Sequence, residues 1–449
     1  MSSQRITTIS LDATDSSLSE LQCNLPTRMV RIARKTLAPP RSVSHISEDG
    51  DVHKVKPSNN VLYIPDPNLR CSMGVNIGSS IFYTRATITI PEFHLISPAK
   101  EHYELLGEER LGCVTLYIDK WLLLIIVLQR KFDFKIKVTP WTEFFSWLMT
   151  EGSVDKLGIG PYLCSDTIVL GCIDYSAEYV TDTNGVTLDN YQEFDEKMEK
   201  FATNVQFWPP IDSAKKGAAK LTRIQLFDKI ALSVTHTDRP VSCPWDGLTI
   251  PAGKVLKRTH SAYGTHVYLP DSPQPSVETL LQACCLPGRQ WVVQDWVSTL
   301  RDLGEYKVYF VQQEIVWMSL ARFSKVDGGW CSKSVKNETR SLEEISAMLR
   351  QGVMDTDFLF SVPSAYEPID CMLREFAQDT LCHLVEEDED DEGYSILSEW
   401  CRMDIGIIEK NGVCSYFINE IETNVGLGLF GDGIFDALSD ALGELWLEM

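Results

Sequence analysis

The 449-residue chain carries 63 Asp and Glu against 41 Lys and Arg, a formal net charge of −22. This excess of acid argues against a main body that binds nucleic acid, because phosphate backbones are held by basic surfaces, yet it leaves room for a nucleotide site built from a few local cations. The length asks for two or three lobes rather than one core, and a hydrophobic content of 44% with eleven tryptophans is ample for a globular protein of enzyme size.

The thirteen cysteines include one adjacent pair, Cys284-Cys285, and no C-x-x-C spacing, the usage of a reduced intracellular protein with mostly buried thiols. Eight dispersed histidines, none at ligand spacing from a cysteine, argue against zinc. The start, Met1-Ser-Ser-Gln-Arg5, lacks the apolar core of a signal peptide, so a cytoplasmic location is expected.

In chain order, residues 1–60 are rich in Ser, Thr and Pro and read as a mobile leader, with a basic patch of Arg28, Arg31, Arg34, Lys35 and Arg41. From 61 to 210, strand-like runs (61–64, 80–90, 114–118, 121–128, 167–173) alternate with helix-like ones (141–150, 191–204), which predicts an α/β lobe. The run 121–128 is the most apolar; at eight residues between Lys120 and Arg130 it is too short for a membrane span of about 20 and is expected as a buried strand. Trp208-Pro-Pro210 marks a break. Residues 212–230 then read as a polar-faced helix carrying Lys215, Lys216, Lys220 and Arg223.

A strand ending at Lys257 leads into a small-residue loop containing Ser261 and Gly264, and a strand returns over 266–269. That arrangement can lay backbone N–H groups and an ammonium over phosphates. Residues 291–297, with Gln294, Asp295, Trp296 and Val297, form an apolar strand, and Glu305-Tyr-Lys307-Val follows with both polar side chains on one face. Residues 341–400 look like a helical insertion, and the seven consecutive acids 386–392 read as a solvated loop.

The last part carries the sharpest pattern. Arg402-Met-Asp404 heads an apolar run, a turn through Lys410-Asn-Gly412 follows, and the next strand ends in Glu422-Thr-Asn424. Residues two apart on a strand share a face, so a hairpin brings Asp404, Glu422 and Asn424 together as three hard oxygen donors suited to Mg²⁺. Glu420 is a further candidate ligand, in phase with Glu422 unless a bulge intervenes.

Arg-x-Asp, hairpin, Glu-x-Asn resembles the catalytic edge of ATP-grasp enzymes, and the lysine loop, the 291–297 strand and Glu305-x-Lys307 precede it in that family's order. The resemblance covers about 210–449. It implies an ATP-grasp fold of the α/β (α+β) class, with a small phosphate-loop lobe at 211–300 and a large lobe at 301–449 after the N-terminal α/β lobe. It also implies an ATP- and Mg²⁺-dependent ligase that activates a carboxylate as an acyl phosphate for attack by an amine, acting on small molecules rather than on nucleic acid or membrane.

On this resemblance Asp404, Glu422 and Asn424 hold the metal. Lys257 and Lys307 hold phosphates, with Ser261 and Gly264 in the phosphate loop. Gln294, Asp295, Trp296 and Val297 face adenine, Glu305 faces the sugar, and Arg402 with Lys307 stabilises the transferred phosphoryl group. A nucleotide-binding assembly chaperone and an ATP-grasp-type kinase are the alternatives within the same fold. The substrates and the oligomeric state are not readable from the sequence.

Overall fold

Val61-Leu-Tyr-Ile64 is apolar without a break, the signature of a strand covered on both faces, and it forms the centre of a parallel sheet. The computed structural model describes residues 60–67, 83–110, 112–150, 158–173, 175, 179–180, 184–218, 220–259, 266–283, 290–326, 329–335, 371–389, 393–423 and 434–448. The leader with its basic patch, the loop residues Ser261 and Gly264, residues 341–370 and Asn424 lie outside them.

The first elements are β1 (Asn60–Ile64), β2 (Tyr83–Thr89), α1 (Ile90–Ile96), β3 (Tyr103–Arg110), β4 (Cys113–Asp119), α2 (Lys120–Phe132), β5 (Lys135–Val138), α3 (Trp141–Met149), β6 (Thr167–Gly171), α4 (Tyr191–Ala202) and β7 (Gln206–Trp208). The parallel sheet has the order β5-β1-β6-β7, and β2-β4-β3 form a separate antiparallel sheet. One face of the parallel sheet packs on α3 and α4 through Leu62, Ile64, Phe144 and Phe194; the other packs on α2.

α2 corrects the expected strand at 121–128. Asp119 Oδ1 accepts from the backbone N–H groups of Trp121 and Leu122 at 2.7 and 3.2 Å, a helix N-cap, and Asp133 closes the helix in the left-handed conformation (φ 56°). Leu122, Leu124, Ile125, Ile126 and Leu128 are all buried. The face that is only partly buried carries apolar residues too, Leu123 and Val127, so no polar stripe marks a helical period before Arg130.

Next come α5 (Ile211–Ala218), α6 (Lys220–Ile230), β8 (Ser242–Pro244), β9 (Lys254–Arg258), β10 (Val267–Tyr268), α7 (Val277–Gln282) and β11 (Trp291–Asp295). The four strands make an antiparallel sheet, β10-β9-β11-β8, whose small core holds Leu256, Leu280, Trp291 and Val293. The remaining elements are α8 (Ser298–Asp302), β12 (Glu305–Val311), β13 (Glu314–Val326), β14 (Gly329–Val335), α9 (Cys371–Asp388), α10 (Ile396–Glu399), β15 (Trp400–Lys410), β16 (Val413–Glu422) and α11 (Ile434–Glu448). Here a five-stranded antiparallel sheet has the order β14-β13-β12-β15-β16.

The central strand β12 is buried along its whole length, and its two faces differ. Tyr306, Val308 and Phe310 join the core made with α6 and α9; on the other face Tyr309 and Val311 meet α2, Trp400 and the α11 residues Leu438, Leu442 and Trp446. At the opposite end of that second face stand Glu305 and Lys307, buried and paired with each other.

The acidic run also departs from a solvated loop at its start. Residues 386–388 complete α9, and Asp388 is buried against Arg223 (3.3 Å) and Lys216 (3.2 Å), while Glu387 meets Lys229 at 2.6 Å. Carboxylates at a helix C-terminus oppose its dipole, and these three cations offset that. Residues 390–392 lie outside the described ones.

Candidate functional site

The site is built on a phase change in β16. Cys414, Tyr416 and Ile418 point into the α9 core at spacing two, but the next core residue is Ile421, three further on. The extra residue is a bulge: Ile405 pairs with Ile418 and Asp404 with Glu420, leaving Asn419 unmatched. Had alternation continued, Glu420 and Glu422 would have faced the core. After the bulge they face the other side, in phase with each other, with Arg402 and Asp404 opposite them. Arg239 secures the kink. Its Nη1 donates to the carbonyl of Ile418, its Nε donates to Asp228 on α6 at 2.8 Å, and its guanidinium lies 5.2 Å from the Phe227 ring centre.

On that face an ionic network runs across three strands. Lys307 donates to Glu305 and to Asp404, both at 2.5 Å, and Arg402 grips Asp404 with two bonds of 2.8 and 3.0 Å. All four are at most 5% exposed, and buried charges survive only when paired as closely as this. Burial by itself would lower the Lys307 ammonium, but Asp404 and Glu305 hold it above the usual lysine range; Arg402 is raised in the same way, chiefly by Asp404.

The second sheet enters through Lys257 of β9, which donates to Asn419 Oδ1 at 3.4 Å, while Asn419 Nδ2 donates to Glu305 at 2.9 Å. From α6, Lys220 meets Glu420 at 2.6 Å. Burial pushes Glu420 up, yet Lys220, Lys257 and Lys307 together hold its carboxyl down at about 2. Burial lowers Lys257, with Lys220 and Arg239 acting in the same direction against Glu420 and Glu305.

The structure thus gathers Lys257, Glu305, Lys307, Arg402, Asp404 and Glu420, and it selects Lys220 from the four cations of the 212–230 segment. Lys215 pairs with Glu199, and Lys216 and Arg223 with Asp388. Glu422 stands across the ladder from Arg402, so the direct neighbour of Asp404 is Glu420 instead. Gln294 and Asp295 lie at the end of β11. Gln294 donates to Ser242 at 3.1 Å, Asp295 pairs with Lys254, Trp296 stacks under Arg301 at 5.6 Å, and Val297 is buried.

Sequence reasoning passed over Asn419. Its signal is alternation past the core residue Ile418, which puts Asn419 on the charged face, beside the step from two to three in the apolar spacing, 414-416-418-421, that brings Glu420 there too.

Among the described residues no three His, Cys, Asp or Glu side chains gather closely enough to hold a metal ion by themselves. Both Asp404 oxygens are engaged by Lys307 and Arg402. The donor chemistry nevertheless suits Mg²⁺, which takes one or two carboxylates, keeps waters and shares the rest of its shell with substrate phosphates. Asp404 and Glu420 are the facing pair of hard oxygen donors, and Glu422 is the next on the same face.

No protein-family model and no curated protein matches the chain. Among the described residues no helix is long and apolar enough to cross a membrane. Solved structures do match. D-cycloserine synthetase DcsG is 12% identical with a TM-score of 0.42, the alignment covering 86% of this chain and 99% of that one. D-alanine–D-alanine ligase from Bacillus anthracis, complexed with ATP, is 8% identical with a TM-score of 0.37, over 87% and 94% of the two chains. ATP-grasp ligase PsnB, complexed with its minimal precursor, Mg and ADP, is 10% identical with a TM-score of 0.36, over 88% and 99%. A RimK domain protein ATP-grasp from Sphaerobacter thermophilus also matches, 11% identical with a TM-score of 0.35 over 76% and 96% of the two chains.

Proposed function

We propose that the chain is an ATP- and Mg²⁺-dependent ligase that converts a carboxylate into an acyl phosphate and joins it to an amine. The observation that carries this reading is the mixed array at one face of the five-stranded sheet, in which Lys307 and Arg402 of the sheet, Lys257 of β9 and Lys220 of α6 interleave with Glu305, Asp404 and Glu420. Phosphoryl transfer asks for such a surface of cations and hard oxygen donors, and for no protein nucleophile.

In this reading the small lobe spans 211–300 and the large lobe 301–449, with β9 and β12 supplying Lys257 and Lys307 to the phosphates. Asp404, Glu420 and Glu422 are the metal-side carboxylates, with Asn424 next along the chain. Magnesium bound there supplies neutralisation of the phosphate oxygens. Arg402 stabilises the acyl phosphate and then the tetrahedral intermediate, Glu305 orients the sugar, and the chain at 294–297 receives the base.

A substrate carboxylate oxygen attacks the γ-phosphorus and ADP departs. The amine nitrogen then attacks the acyl carbon, phosphate leaves with the bonding pair, and the amine proton passes to solvent. Before any ligand enters, the lysines are held by the carboxylates. Phosphates that take the lysines strand those carboxylates unless a cation replaces them, so nucleotide and metal should each require the other.

The test is calorimetry of ADP with and without Mg²⁺ on wild type and Glu420→Gln, followed by ADP release from ATP with pooled carboxylic and amino acids. Metal-dependent binding lost in the variant, with release that needs an amine, supports the ligase. Release without an amine favours a kinase, and binding without turnover favours a chaperone. Absence of nucleotide binding in wild type overturns the reading.

A further inference from the structure

We infer that Asn419 is a positioning residue that ties the β10-β9-β11-β8 sheet to the five-stranded sheet and presets Lys257 and Glu305 for a nucleotide, an inference that rests on the ligase reading for its ligand but not for its geometry. Asn419 touches both sheets. It accepts from Lys257 of the four-stranded sheet at 3.4 Å and donates to Glu305 of the five-stranded sheet at 2.9 Å. Alternation from Ile418 puts Asn419 on this face, and the bulge that follows brings Glu420 in beside it; Arg239 holds the neighbouring carbonyl of Ile418.

An amide is chemically suited to that place. It presents a donor and an acceptor on one rigid plane, so it can face a carboxylate and an ammonium at once. An aspartate would repel Glu305 and lock Lys257 in an ion pair, and a cation would do the reverse. A neutral acceptor holds Lys257 without cancelling its charge, and the ammonium stays available to an incoming anion. Lys257, lowered by burial and by Lys220 and Arg239, gains from such a contact a location more than a counter-charge.

The experiment uses the whole protein and reads Lys257 directly. Acetylation of Lys257 by an amine-reactive ester is followed by mass spectrometry across pH 7 to 10 without nucleotide, in wild type, Asn419→Ala, Asn419→Asp and Asn419→Gln, with circular dichroism as the check on folding. Asn419→Asp should shift the labelling profile toward higher pH, because an adjacent carboxylate stabilises the ammonium. Asn419→Ala should speed labelling several-fold by releasing the side chain, and Asn419→Gln should fall between Ala and wild type. Mg-ADP affinity should fall about tenfold in both Ala and Asp variants, the scale of one charge-assisted contact.

Profiles for folded Asp and Ala variants that superimpose on wild type overturn the inference. Should Asp or Ala fail to fold, a Gln variant with wild-type labelling and wild-type affinity overturns it as well. Wild type that binds no nucleotide while the labelling profiles move as expected overturns the ligase reading and leaves the positioning role standing.

Discussion

Asp119 at the head of α2 and Glu420 on β16 are carboxylates of the same chain with opposite fates. Asp119 is buried among apolar residues, and burial pushes it up to about 7, against the backbone N–H groups of Trp121 and Leu122 and the more distant Lys120. Glu420 is also desolvated, but Lys220 in contact and Lys257 and Lys307 nearby hold it down at about 2. Two backbone dipoles do not offset what burial costs a charge, whereas several ammonium groups more than offset it. The capping carboxylate is therefore a structural group close to losing its charge in neutral solution, and the β16 carboxylate stays ionised where chemistry would need it.

The contrast is broken most severely at Lys307. Lys307→Met leaves Glu305 and Asp404 facing each other without their shared cation, and a buried pair with one partner removed costs about 3–5 kcal/mol. Urea unfolding measures this. A loss under 1 kcal/mol would mean that the network adds little and that the low value at Glu420 has another origin.

Asp119→Asn tests the other side. The folded state holds the Asp119 proton up to about 7 while the unfolded chain releases it near the usual aspartate value, so wild-type stability should fall as pH rises through that window and level off above it. Asparagine keeps the cap and removes the titration. Between pH 5 and pH 8 the variant should gain about 2–3 kcal/mol on wild type, at roughly 1.4 kcal/mol per unit. Denaturant titrations at the two pH values that run parallel would refute this.

Glu420→Gln should show the opposite sign. The Glu420 contribution is present above the usual glutamate range and disappears as pH falls toward about 2, so the variant should be weaker than wild type at pH 7 and converge on it in acid. A gap on the order of 1 kcal/mol is expected, since the pair is partly exposed to solvent. At the small end, Asp238→Ala removes the exposed ion pair with Lys410 (2.6 Å) and should change stability by less than about 0.5 kcal/mol, marking what a solvated pair contributes beside the buried ones.

Much of this was legible because it is written in local chemistry. The hairpin that carries the site turns at Asn411-Gly412, with φ of 55° and 78°, the left-handed pair that Asn-Gly adopts most readily. Alternation in Glu305-Tyr-Lys307 put both polar side chains on one face, and Lys307 does bridge Glu305 to Asp404. The apolar run 61–64 announced a strand covered on both sides, which β1 is.

What failed to show had its cause elsewhere in the chain. The helix α2 looked like a strand because its partly buried face carries Leu123 and Val127 beside the residues that α11 and the parallel sheet cover, which removes the polar stripe that betrays a helix. Asp388 looked solvated because Arg223 and Lys216, more than 160 positions earlier, are invisible from its neighbours. By itself the sequence determined the strands at 61–64 and 305–311, the turn at Asn411-Gly412 and the pool of charged residues, since these depend on residues a few positions apart. Only the tertiary structure decided which lysine meets which acid and which way β16 faces after Asn419. Those outcomes rest on contacts between positions more than 100 apart, Lys220 with Glu420 and Asn419 with Glu305, where burial and electrostatics rather than local propensity choose the partner.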